Sequence, residues 1–531
     1  GDFIIVGTET DSIIFTTTDP EVTSSQWYGF VRDSENYSTP QLQFKYCRFE
    51  GFQYAIQTRG SYGESSPSSE SDIHTLYVEN CTFQNGGSSS IYSFSCYYFR
   101  YIIKNNVVHG GSALFHNYND LNSYGVLIEG NIVNDLAQPQ RAVNMSGVLS
   151  FGLYGDNDID TLAVTIKNNI FTGVTDINNS SEYGIYIYSR NLTTSSSDRY
   201  QRVIQVSDNV MNRTGQIRIA GDYNNENVIV NVLDNQVYNS RGRGLEISYA
   251  RDGKVSGNTF RGLYKEQSYY SDYDYRVGVN LEYSSIDMVS NVVDSSFGGG
   301  VRYVQSIGRI DSNTITNNAY GLILNGTFEN NNLATVRHNN LTNNYYYGIR
   351  TVEYSNPTIN YNDLFSNSTQ SDYVDIKNEV PSSTFDELNA RLNYWGETTT
   401  AVMDEGGNPK NLSNIHDQYD DASLGFVNYG NYLEADVSLP PPVPSSVTAH
   451  VYYAGESGNN LVKLFWNGSE AGDLKRYNIY RGTSLGNIAI YDSVVTTSTA
   501  DTNWTDASTP FGQTYYYRVT SQDVFNNESL Y

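Results

Sequence analysis

Ile128-Glu129-Gly130-Asn131-Ile132-Val133 and Val232-Leu233-Asp234-Asn235-Gln236-Val237 share one phrase: an apolar residue, two of any kind, Asn, one of any kind, and an apolar residue. The phrase recurs in Ile103–Val108, Ile166–Phe171 and Val206–Met211, and later copies centre on Asn258, Asn291, Asn313, Asn339 and Asn362. The tightest spacings run from 22 residues (Asn291 to Asn313) to 26 (Asn313 to Asn339). That is the length of one solenoid coil, and wider spacings add an inserted loop.

The repeat predicts a parallel β-helix of about a dozen coils. A strand ending in Asn turns sharply, because Asn tolerates the left-handed region and its amide bonds to nearby backbone. Coils stacked about 4.8 Å apart then align those amides into a ladder that satisfies the neighbouring coils. The expected rungs are Asn106, Asn131, Asn169, Asn209, Asn235, Asn258, Asn291, Asn313, Asn339 and Asn362, with Cys47 and Cys81 taking the same position in the two earliest copies. Stacked on adjacent rungs, these two cysteines are read as small buried thiols rather than a disulfide, since parallel Cβ vectors do not converge. Three Cys in 531 residues, Cys96 the third, exclude a disulfide-stapled scaffold and give no zinc spacing.

The formal charge of -26 makes nucleic acid and anionic membrane surfaces poor partners. Charged residues make up only 17%, and the 47 Tyr far exceed an ordinary share. No apolar run approaches the roughly 20 residues of a membrane span, and no secretory signal opens the chain. The composition is that of an extracellular or cell-surface solenoid. Gly1 is not an initiator, and Phe3-Ile4-Ile5-Val6 resembles an inner coil, so something is expected to precede it or pack on it.

A second pattern marks another sheet: a small or aromatic residue, Gly, then alternating apolar positions. Examples are Tyr183-Gly184-Ile185-Tyr186-Ile187, Arg243-Gly244-Leu245-Glu246-Ile247 and Val277-Gly278-Val279-Asn280-Leu281. Period two sends Ile185, Leu245, Val279, Leu322 and Ile349 inward. The outer column then reads Tyr186, Arg218, Glu246, Asn280, Arg302, Ile323 and Arg350. It is the candidate binding column. Glu246 and Glu282 could hold a cation such as calcium, and Arg218 or Arg302 could face an acidic sugar. The plainer expectation is a mixed-charge ladder that keeps a wide sheet soluble.

Inserted loops are expected around 51–74, 135–164 and 175–203, where solenoids often carry binding. Asp156, Asp158 and Asp160 alternate like calcium ligands, without the following Gly or a distal Glu, so calcium is possible there and no cofactor is required. The Tyr-rich stretch from Tyr264 to Arg276 could stack on sugar rings or on another subunit. Asn-x-Ser/Thr matches at Asn36, Asn144, Asn191, Asn212, Asn340, Asn367, Asn411 and Asn503 say little, since about a dozen arise by chance from such a composition.

After residue 370 the period fails. Asn393-Tyr394-Trp395-Gly396 and the stretch from His416 to Tyr429 resemble the segment closing right-handed, pectate-lyase-like β-helix domains of secreted bacterial and archaeal proteins. The resemblance implies a helix domain over 1–435, a cap over about 376–435, and Trp395 plugging the last coil. In β-helix lyases and hydrolases, substrate lies along an outer sheet beside carboxylates, calcium and an Arg or Lys base. Residues 436–446 form a stiff Pro-rich linker. Residues 447–531 resemble a fibronectin type III domain, with Trp466 in its second strand, Tyr477–Arg481 in its third, and Tyr515 at the tyrosine corner ahead of Tyr517 and Val519. Its last strand is expected to be missing.

Two functional expectations follow. One is an extracellular structural or adhesive surface protein, used for display, glycan binding or end-to-end assembly into a filament with copies of itself or neighbouring surface proteins. The other is a polysaccharide lyase or glycoside hydrolase working along the outer column.

Overall fold

The computed structural model describes the chain except residues 1, 17–26, 33–40, 61–72, 95, 119–121, 137–139, 148–161, 177–182, 190–201, 222–227, 241, 264–276, 327–333, 368–373, 434–435, 438–440, 442, 453–459, 470–473, 485–486, 496–501, 511, 524–526 and 531. It divides into two compact units, Gly1–Ala435 and Asp436–Tyr531.

The first unit is built from coils of three short strands. Val228–Leu233, Gln236–Tyr238 and Leu245–Ser248 make one coil, and Asp252–Ser256 starts the next, paired in parallel with Val228–Leu233. Repetition gives three parallel sheets of 15, 13 and 14 strands, in which each strand neighbours the one three places on in the chain until the closing segment, where the last step in two of the sheets is two places. That is the arrangement of a β-helix solenoid.

The corners have a backbone cause. Asp234 has φ 54 and precedes the rung Asn235; Asn105, Asn168, Ser312, His338 and Tyr361 stand in the same left-handed state before their own rungs. The expectation that the rung Asn itself takes this conformation is therefore corrected. The residue before it turns the corner, which frees the Asn side chain to point inward along the stack. Where the turning residue is Gly257, an added Cβ would lie 2.0 Å from Asp234 Oδ1, so the corner carboxylate of one coil occupies the space a side chain would need in the next.

Inward residues fall where the period of two places them. Ile185, Leu245, Val279, Leu322 and Ile349 are fully buried in one continuous core. In the earliest coils that core is aromatic: Phe15 stacks on Phe49 at 5.1 Å, and Phe49 on Phe83 at 5.0 Å. Cys47 and Cys81 are free thiols, and both they and Cys96 are buried.

Strand Val374–Glu379 still pairs with Tyr347–Glu353, so the coils run to Glu379, just past the expected start of the cap. The closing segment remains in register, as Glu387–Asn389 and Phe426–Asn428 extend the first sheet. It also holds the single described helix, Gly396–Asp404, with Trp395 buried in the core beside it.

The second unit has two three-stranded antiparallel sheets. Ser445–Tyr452, Asn460–Asn467 and Asn503–Thr509 form one; Ile488–Val495, Leu474–Gly482 and Tyr516–Asp523 form the other. Val462, Leu464, Trp466, Tyr477, Ile479 and Val519 make its core. Asp506 is buried there, accepting from Arg481 Nη1 at 2.6 Å and Tyr517 OH at 2.8 Å.

Candidate functional site

The third sheet sets the candidate column by register alone. Tyr186 pairs with Arg218, Arg218 with Glu246, Glu246 with Asn280, Asn280 with Arg302, Arg302 with Ile323, and Ile323 with Arg350. Lys377 and His416 continue it. Glu282 lies in the adjacent outer column, opposite Ser248 and Val304.

Most of this outer face is closed. Asn280 is 0%, Ile323 2%, Glu246 7% and Arg302 8% exposed. Closure of charged groups demands partners. Arg302 Nη1 donates to Glu282 Oε1 at 2.7 Å and to Asn280 Oδ1 at 3.2 Å, and Asn280 Nδ2 donates to Glu282 at 3.1 Å. Glu246 is held by Arg243 at 2.6 Å and approached by Arg218 at 3.5 Å. Glu379 accepts from Arg350 at 2.7 Å and pairs with Lys377 at 2.5 Å. Burial works against the Glu379 charge, yet hydrogen bonds from Lys377 and Arg350 hold its carboxyl below the ordinary range.

At its early end the column turns aromatic. Arg141 lies over the rings of Tyr186 at 4.1 Å and Tyr183 at 4.7 Å, while Arg218 donates to Tyr183 OH at 3.2 Å. His116 packs edge-on against Tyr92 at 5.2 Å. Burial, with Arg141 nearby, pushes His116 down to about 4, so it is neutral at pH 7.

The asparagine ladder runs without interruption from Asn106 to Asn393. Each rung's Oδ1 accepts from the previous rung's side-chain amide at 2.9–3.0 Å. The same oxygen accepts that rung's backbone N–H at 2.9–3.1 Å. The final rung, Asn393, belongs to the closing segment, so the ladder extends one coil beyond the repeated phrase. Cys81 N–H donates to Asn106 Oδ1 at 2.9 Å, so the cysteines sit at the head of the same ladder.

A second ladder escaped the sequence reading. Asn318, Asn344 and Asn367 stack at the next corner, with Nδ2 to Oδ1 distances of 3.1 and 2.9 Å. The signal for it is a constant offset of five residues after Asn313, Asn339 and Asn362. It ends on Asp375, whose Oδ1 accepts from Asn367 N–H at 3.1 Å and Nδ2 at 3.0 Å, and whose Oδ2 accepts from Asn414 at 2.7 Å. Burial without a cation pushes Asp375 up to about 6, against the pull of those three bonds.

The possible calcium ligands Asp156, Asp158 and Asp160, and the Tyr264–Arg276 stretch, lie outside the described residues. Glu246 and Glu282 stand in different columns, each already engaged by arginine. Among the described residues, no group of three or more His, Cys, Asp or Glu is placed to hold a metal ion, and no helix is long and apolar enough to cross a membrane. No family model, curated protein or solved structure matches this chain.

Proposed function

We propose that this protein is a structural or adhesive component of a cell surface, in which the solenoid displays binding faces or assembles with its own kind. The observation that carries this reading is the outer column. Its arginines and carboxylates are spent on one another, with Glu246 and Arg302 buried and their partners half-buried, as in a ladder built for persistence rather than for turnover. The unbroken asparagine ladder supports it, because each rung depends on its neighbours and the repeat gains stability by extension.

The second unit fits the same role. Its two small sheets, the core Trp466 and the Tyr517–Asp506 bond suit a fibronectin type III-like spacer, a fold that serves as a module and carries no reaction of its own. Electron microscopy of native surface material tests the proposal. Ordered polymers or a surface layer containing this chain are expected. Dispersed molecules that release sugars from a polysaccharide would replace the proposal with a lyase or hydrolase.

A further inference from the structure

The third sheet's early strands have an unusual composition for so acidic a chain. Tyr54–Arg59, Ser89–Phe94, Ala113–Tyr118, Val143–Gly147, Tyr183–Ser189 and Gln216–Ala220 are successive neighbours, about 24 Å from first to last. They contain no Asp or Glu, although the chain has 58. In the same coils the first sheet alternates sign, with Lys45 beside Glu79 at 3.0 Å and Lys104 beside Glu129 at 2.8 Å. The third sheet instead presents Arg59 and the flanking Arg141 beside aromatic rings, with Phe94 and Tyr118 exposed and stacked at 5.8 Å, while Arg218 at the edge of this face turns toward Glu246 at 3.5 Å.

Arginine with aromatics, and no lysine or carboxylate, is the composition of a protein interface core. The complementary charge is on the same unit. Residues 380–433 hold eight carboxylates, Asp386, Glu387, Glu397, Asp404, Glu405, Asp417, Asp420 and Asp421, against Arg391 and Lys410, a net of 2 − 8 = −6 with His416 neutral. Glu397 and Glu405 among them are exposed.

We propose that the early third-sheet face is the docking surface for the acidic cap of a second copy of this chain. The two patches differ, so the contact is heterologous and propagates from copy to copy instead of closing as a dimer. The inference rests on the assembly reading above and names its interface.

Sedimentation equilibrium at fixed salt tests it. The mass-average of the wild type rises with concentration. Arg59→Glu with Arg141→Glu weakens association at least about tenfold, while Lys463→Glu with Lys475→Glu, the same charge change on the second unit, leaves it intact. Glu397→Lys with Glu405→Lys weakens it equally from the other side, and mixing these two patch variants restores association between them. Thermal melts matching the wild type show that each variant is folded. Association unaffected by either patch variant, or a mixture that does not recover, overturns the inference. Ordered polymers in native material together with such insensitivity would sink this interface and leave the assembly reading standing.

Discussion

At the residue scale, the rung asparagines were legible because one side chain does the same work in every coil, and a repeated task leaves a repeated letter. The corners were not, since the left-handed position is filled by Asn105, Asp234, Ser312, His338 and Tyr361 alike. The stacked coils impose that backbone state whatever residue stands there, at a cost of roughly 1–2 kcal/mol for a side chain that disfavours it. The second ladder stayed hidden because it spans three coils, and Ser296, Ser240 and Leu136 hold the same offset elsewhere. Replacing Asn235 or Asn258 by Ala orphans buried amides on the preceding rung and should lower unfolding free energy by about 1–3 kcal/mol each, whereas half-buried Asn360→Ala, which loses only a surface bond to the Arg391 carbonyl, should cost under about 0.5 kcal/mol. A denaturant titration of the three variants decides it. Asp375 gives a pH signature. Its folded pKa of about 6 lies above the ordinary value near 3.9, so between those values the folded state binds its proton more tightly than the unfolded chain. This group's contribution therefore improves as pH falls through that window and is lost as pH rises through 6. Asp375→Asn, with the Asn414 amide turned to accept, should raise stability at pH 7 by about 1–2 kcal/mol and flatten that pH dependence in thermal melts.

At the element scale, alternation in the third sheet was enough to name the column from Tyr186 to Arg350, and the strand register reproduces its order. What alternation could not tell is that an outward position can still be covered. Asn280 and Arg302 face away from the core and are closed off nonetheless. Arg302→Ala would leave Asn280 and Glu282 without their shared donor and should cost about 1–2 kcal/mol, with Arg302→Lys recovering only part, because one ammonium replaces the guanidinium fork. In the second unit, Asp506 lies in the core, held below the ordinary carboxylate range by Arg481 and its neighbours against the effect of burial. Its contribution is present above the unfolded value and lost as pH falls through the depressed one. Asp506→Asn should remove that acid-limb dependence from the unit's unfolding.

At the scale of the whole molecule, repetition is what the sequence announces and what the structure spends its polar groups on: an unbroken ladder within, and paired arginines and carboxylates along one outer column. The three intervals expected as inserted loops each carry a described third-sheet strand, Tyr54–Arg59, Val143–Gly147 and Tyr183–Ser189, while Asp156, Asp158 and Asp160 lie outside the described residues. The proposed structural role requires the outer column to sustain the solenoid rather than to act on a substrate. A degradation screen over acidic and neutral polysaccharides, run on the wild type and Arg302→Ala with thermal melts of both, tests it most directly. No released product from the wild type and a lowered melt for the variant are expected; released product that disappears in Arg302→Ala while the melt stays unchanged would make the column a catalytic site instead.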